Sequence, residues 1–204
     1  MLASIAVAAW LCFIRMSLSP MHGMPGMAMP SRLGDDLAMW EVMVVAMMTP
    51  TLFLVLPARA RSAMCALVFT AGYLCVWSGF ALAAAIAQHA LEGNARWVLL
   101  ALLAAGGLYQ WTLLKKASLD ACRDRARMAE RTPFVGGLRY GACCLGCCWL
   151  LMASMAAVGM SNIAVLAGVT LAMLGERLLP RARHATGAVC VALALGLFFL
   201  GRTS

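Results

Sequence analysis

Acidic residues and histidine are scarce in this chain, with 8 Asp and Glu and 3 His among 204 residues, against 16 Lys and Arg. Charged residues of both signs reach only 12%, about half of what a soluble domain carries. Three histidines, His22, His89 and His184, all in or near turns, poorly supply an embedded haem or di-iron centre. No Gly-x-x-x-x-Gly-Lys-Ser/Thr loop occurs, so the chain has no nucleotide motor of its own. A Ser nucleophile elbow and a His-Glu-x-x-His zinc helix are also missing, so nothing points to a hydrolase. Nucleic-acid binding is excluded on the same footing, because no basic patch is interleaved with aromatics. The segment Met1–Leu18 is apolar but has no basic start and no clean small-residue cleavage site, so it reads as a short first span and not as a signal peptide.

What fills the chain is apolar. Hydrophobic residues make up 64% and the mean hydropathy is +0.88. Nearly every uncharged run reaches about 17 to 20 residues, the length that crosses hydrocarbon as a helix. The expected fold is all-α: one polytopic transmembrane helical bundle over residues 1–204, with about seven spans. After the first, the spans run over about Leu37–Leu56, Ala63–Ile86, Arg96–Leu114, Tyr140–Gly159, from Ser161-Asn162 to Leu179, and Ala185–Leu200. Two segments interrupt them, a Met-rich loop at 20–36 and a basic polar stretch at 115–139.

Charge orients the spans. Arg59 and Arg61, then Lys115, Lys116, Arg123, Arg125, Arg127, Arg131 and Arg139, then Arg177, Arg181 and Arg183 all fall on one side, 12 of the 16 bases. The positive-inside rule puts that side in the cytoplasm and the Met-rich loop outside, in a bacterial cytoplasmic (inner) membrane.

Sulfur is concentrated at two places. Cys143, Cys144, Cys147 and Cys148 lie within six residues, at the start of the apolar run of span five. Residues three and four apart share a helix face, so Cys144 projects with Cys147 and Cys148, and Cys143 with Cys147. Thiolates select Cu(I), zinc or an iron–sulfur cluster over hard cations. The helix start just before Cys143 would offer orphan N–H groups that favour the thiolate. Close helix packing by small apolar residues explains the same cysteines without chemistry, and a reducing cytosol disfavours disulfides. Cys122, in the basic stretch, could approach the patch. The second concentration is the loop: Met21, His22, Met24, Met27 and Met29, spaced by Gly and Pro, gain nothing as core, and thioether and imidazole ligands suit copper.

Methionines run between the two. Met39, Met43 and Met47 share one face of span two with Met48 beside them, and Met152 and Met155 follow the cysteines along span five. They form either a sulfur ladder or flexible apolar filler. Glu176 falls at membrane depth beside Arg177; such a residue faces the bundle interior or forms an interfacial pair with its neighbour. Tyr109-Gln110 has the look of an interhelical hydrogen-bonding pair.

Trp40-x-x-Met43-x-x-Ala46-Met47-Met48-Thr49-Pro50, Tyr109-Gln110-x-Thr112-x-x-Lys115 with Cys122-Arg123, and Gly141-x-x-Cys144-Leu145-Gly146-Cys147-Cys148-Trp149-x-Leu151-Met152 together resemble a bacterial family of predicted metal-binding integral membrane proteins whose function is unassigned. The resemblance covers about Leu37 to Leu179. Leu113 stands where that family usually has Pro, Ser118 where it has a first Cys, and Glu176-Arg177 where it has Glu-Lys. It implies metal binding and no particular reaction.

Three functions fit these residues. In the first, the protein handles copper, as Cu(I), by transport or by delivery to a cuproenzyme under assembly; zinc is the rival metal. Its sites would be the cytoplasm-facing cysteines, with Cys122, Met152 and Glu176 nearby, Met43, Met47 and Met48 along the way, and the outer loop. A copper chaperone would be the partner. In the second it is a membrane thiol oxidoreductase using Cys144 and Cys147. In the third it is a structural subunit that packs against other membrane subunits.

Overall fold

The computed structural model describes residues 10, 11, 15, 33–53, 62–90, 95–124, 132–158, 163–179 and 181–200. The described secondary structure is entirely helical: α1 (Leu33–Phe53), α2 (Ala63–Ala90), α3 (Ala95–Tyr109), α4 (Leu113–Arg123), α5 (Pro133–Val158), α6 (Ile163–Leu178) and α7 (Ala182–Leu200). Three of them, α2, α5 and α7, are long and apolar enough to cross a membrane. The count is four if α3 and α4, bent by 69° across Gln110–Thr112, act as one broken span. α6 has 16 residues, about 24 Å of helix against a hydrocarbon core of about 30 Å. The Met21–Met29 loop, Met160, Asn162 and most of the first expected span lie outside the described residues.

The core forms where α1 and α2 meet α5. α2 buries Phe69, Tyr73, Trp77, Ala81 and Ala85, a strict spacing of four that keeps one stripe turned inward. α1 contributes Trp40, Met43, Val44, Met47, Met48 and Leu52. α5 answers with Tyr140, Cys144, Cys147, Cys148, Leu151, Met152 and Met155. Close packing and hydrogen bonds join these helices. Both are visible. A Cβ on Gly137 would stand 3.0 Å from the Tyr73 backbone nitrogen, and one on Gly141 would stand 3.1 Å from the Tyr73 carbonyl. The Gly137-x-x-x-Gly141 pair thus lets the α2 and α5 backbones touch. Trp40 Nε1 donates to Gln88 Oε1 at 3.0 Å and Ser78 Oγ to Glu41 Oε2 at 3.1 Å, which joins α1 to α2.

The polar stretch at 115–139 is not the continuous segment that its charge count implies. Residues 113–123 form α4, and α5 starts at Pro133, two turns before the expected Tyr140. Thr112 caps α4 by accepting from the Lys115 N–H at 3.2 Å. Lys115, Leu119 and Cys122, four and three apart, make its buried face, while Leu113, Leu114, Lys116 and Asp120 stay exposed. α4 lies against α5 so closely that a Cβ on Gly146 would meet Ser118 Oγ at 2.9 Å. At the same glycine Tyr109 Oη donates to the Gly146 carbonyl at 2.6 Å, a bond from α3 to α5.

Candidate metal centre

Cys144, Cys147 and Cys148 are all buried, and their sulfurs lie within 4.8 Å of one another. Helix geometry brings Cys144 together with Cys147 and Cys148, three and four residues apart on α5. The thiols of Cys147 and Cys148 donate to the Cys144 carbonyl, at 3.1 and 2.9 Å. The Cys144 sulfur turns towards polar neighbours: it shares a hydrogen bond of 3.2 Å with Tyr73 Oη, which in turn contacts Thr51 Oγ1 at 3.1 Å.

Arg177, from the end of α6, reaches into this group. Its Nη2 donates to Cys144 Sγ at 2.7 Å and lies 3.9 Å from Cys147 Sγ. Nη1 donates to Tyr140 Oη, and the guanidinium sits 5.5 Å from the centre of the Tyr140 ring. Glu176, the preceding residue, pairs elsewhere. Its Oε2 is 2.7 Å from Lys115 Nζ, with both side chains buried, and the same ammonium donates to the Cys147 carbonyl. Glu176 therefore faces the bundle interior, and its partner is Lys115 in place of the adjacent Arg177. Arg123 on α4 secures the end of α6 by donating Nε to the Arg177 carbonyl at 3.0 Å and Nη2 to that of Glu176.

The remaining candidates divide. Cys122 is buried on the face of α4 turned to α5 and lies near Cys147, at the edge of the three-sulfur group and outside it. Cys143 is only partly buried and outside the three-sulfur set, though it packs against the core. Met43, Met47, Met48, Met152 and Met155 all join the core. Met48 and Met173 face Cys147, Cys148 and Glu176 across a gap too narrow for a water molecule. The loop residues Met21, His22, Met24, Met27 and Met29 lie outside the described residues.

One expectation changes. Cys144 is not at a helix start, because α5 begins eleven residues earlier and only the first four N–H groups of a helix lack a partner inside it. The positive charge beside the sulfurs comes from Arg177 instead. Lys115, Arg177, Tyr73, Tyr140 and Met173 were not apparent as neighbours of the cysteines. For Lys115 a signal existed: its spacing from Leu119 and Cys122 marks one helix face.

The described sulfurs are free thiols, three of them mutually close and shielded from water. Such a donor set suits a soft, low-coordinate ion. Comparison with protein families bears on which ion. Residues 37–199 match the family model named PpoB2, described as a copper chaperone. The chain belongs to the PpoB2 copper-chaperone family. The match begins at the first residue of the resemblance noted above and runs through α7, so the PpoB2 unit contains every helix that contributes to the sulfur site. Comparisons with curated proteins and with solved structures returned no match. Copper handling, with a buried cysteine cluster to match it, is what family and geometry support jointly.

Proposed function

We propose that this protein is a membrane-embedded copper chaperone that holds Cu(I) as cargo on Cys144, Cys147 and Cys148 and passes it to a cuproenzyme under assembly. The observation that carries the reading is the three-sulfur group, buried and mutually within 4.8 Å, inside a chain that matches a copper-chaperone family. Cu(I) accepts two or three soft ligands, whereas a closed structural zinc site takes four N or S donors. Met48 and Met173 across the gap add neutral thioethers that a Cu(I) ion could use in passing. In this reading the bundle has about seven spans in a bacterial cytoplasmic membrane, the cysteines lie midway along α5, and the Met21–Met29 loop outside offers a second, weaker copper site.

The test is elemental analysis of anaerobically purified protein beside a form with Cys143, Cys144, Cys147 and Cys148 changed to Ser. Copper in the first and none in the second is expected; equal copper in both would overturn the reading.

A second reading has one observation in its favour, the approach of Cys122 to Cys147. A dithiol enzyme would cycle a disulfide there with a quinone as oxidant. Thiol counting after oxidation and reduction separates the two, because a chaperone site needs its thiols reduced throughout.

A further inference from the structure

Arg177 presents a guanidinium to two sulfurs, and no carboxylate among the described residues lies within ion-pair distance of it. The nearest buried acid, Glu176, is already engaged by Lys115 at 2.7 Å. The pair of Lys115 and Glu176 cancels, so the cluster keeps one positive charge in excess, held beside Cys144 and Cys147. Arg177 is half-buried, and a charge partly withdrawn from water is costly unless an opposite charge and hydrogen bonds accompany it. Everything that fixes Arg177 aims it at the sulfurs: Tyr140 takes Nη1 and underlies the guanidinium, and Arg123 ties down the backbone carbonyl of Arg177 itself.

We propose that Arg177 is the specificity-determining charge of this site, the counter-ion of a Cu(I) ion bound by the two thiolates of Cys144 and Cys147, with Cys148 completing the three-sulfur group as a neutral thiol. The proposal rests on the copper-chaperone reading above. One Cu(I) with two thiolates carries one negative charge, which the guanidinium neutralises. A divalent ion on the same two thiolates is neutral and leaves the guanidinium without a partner. Zinc could regain a negative charge by adding Cys148, but it would still need a fourth donor. Loading moves no electron: the metal stays Cu(I), two sulfur–copper bonds form, and the two displaced thiol protons pass to the thiolates of the donor that releases the ion. Arg177 is a positioning residue here; it touches the ligands and not the metal.

The experiment measures Cu(I) affinity anaerobically by competition with a colorimetric Cu(I) chelator, on the full chain in detergent. Wild type is set beside Arg177→Lys, Arg177→Met and the Cys144→Ser/Cys147→Ser double variant. Lys keeps the charge and loses the planar fork; Met keeps an apolar stem and loses the charge. Arg177→Lys is expected to stay within about tenfold of wild type, while Arg177→Met falls by about ten- to a hundredfold beyond that, the range of a charge-assisted hydrogen bond. A packing role predicts the reverse order, since the stem matters and the charge does not. Equal losses in the two variants, or affinities of both within threefold of wild type, would overturn the proposal while the cysteine variant still upholds copper binding. Failure of the wild type to bind Cu(I) would instead remove the chaperone reading. If Arg177→Met does not fold, Arg177→Gln takes its place as the uncharged variant, and the same comparison with Arg177→Lys decides: a Gln loss at least about tenfold deeper than that of Lys upholds the counter-ion role, and a smaller difference sinks it.

Discussion

Lys115 Nζ and Glu176 Oε2 lie 2.7 Å apart across 61 residues of sequence, and neither side chain reaches the surface. The ammonium also donates to the Cys147 carbonyl, so one charge joins α4, α5 and α6 at the point where the sulfurs converge. The cysteine face of α5 is thereby held in register with the end of α6 that carries Arg177.

Replacing Lys115 alone should be costly. Glu176 Oε1 already has no hydrogen-bond partner among the described residues, and Lys115→Met would strip Oε2 as well. A buried charge left unpaired destabilises by about 3–5 kcal/mol. The double variant Lys115→Met/Glu176→Met removes both charges and should recover most of that loss. Chemical denaturation in detergent reads both, and a single variant as stable as wild type would show that the pair contributes nothing.

The four cysteines of α5 should not behave alike. Cys144→Ser, Cys147→Ser and Cys148→Ser each remove a member of the three-sulfur group, whereas Cys143 is only partly buried and outside it. Cys143→Ser should keep wild-type copper stoichiometry, and Cys144→Ser and Cys147→Ser should lower Cu(I) affinity by about tenfold or more each, on the scale of one lost charged contact. Chelator competition reports it. A Cys143→Ser defect as deep as that of Cys144→Ser would mean that the metal sits on another face of α5.

Gly137 offers a test of the bundle that avoids the sulfurs. Its Cβ position lies 3.0 Å from the Tyr73 backbone nitrogen, while at Gly34 nothing stands within 4 Å. Gly137→Ala should cost about 1–3 kcal/mol through forced backbone separation, and Gly34→Ala should leave the melting temperature nearly unchanged. Equal melting of the two variants would argue against close contact of α2 and α5.

The outer loop and the orientation are tested together. A compartment-specific reporter fused after Pro30 is expected to be active outside the cytoplasm, and one fused between Arg125 and Arg131 inside. With that orientation, changing Met21, Met24, Met27 and Met29 to Leu should weaken copper-dependent activity without unfolding the bundle, because neutral thioethers on a Gly- and Pro-rich loop bind copper with modest strength. Unchanged copper phenotypes would leave the loop a tether.

The amino-acid sequence by itself determined the all-α class of this protein, with helices apolar enough to span a membrane, and the face on which its sulfurs meet. Both follow from properties carried within one helix. Apolar runs of membrane length are a sum over consecutive residues, and the meeting of Cys144 with Cys147 and Cys148 follows from 3.6 residues per turn. The same reasoning left Glu176 either in the bundle interior or in an interfacial pair with Arg177, since an ionisable group in apolar surroundings must face polar company. What only the tertiary structure decided is which company. Adjacency in sequence pointed Glu176 to Arg177, yet consecutive residues on a helix diverge by about 100°, so the two side chains serve different neighbours: Glu176 meets Lys115, and Arg177 meets Cys144 and Tyr140. α4 was hidden for a related reason. Its charges read as a solvated segment, but a helix of 11 residues turned by 69° from α3 buries Lys115 and Cys122 on one face while showing the rest. Partners tens of residues apart are chosen by how whole helices dock, and no local pattern records that docking.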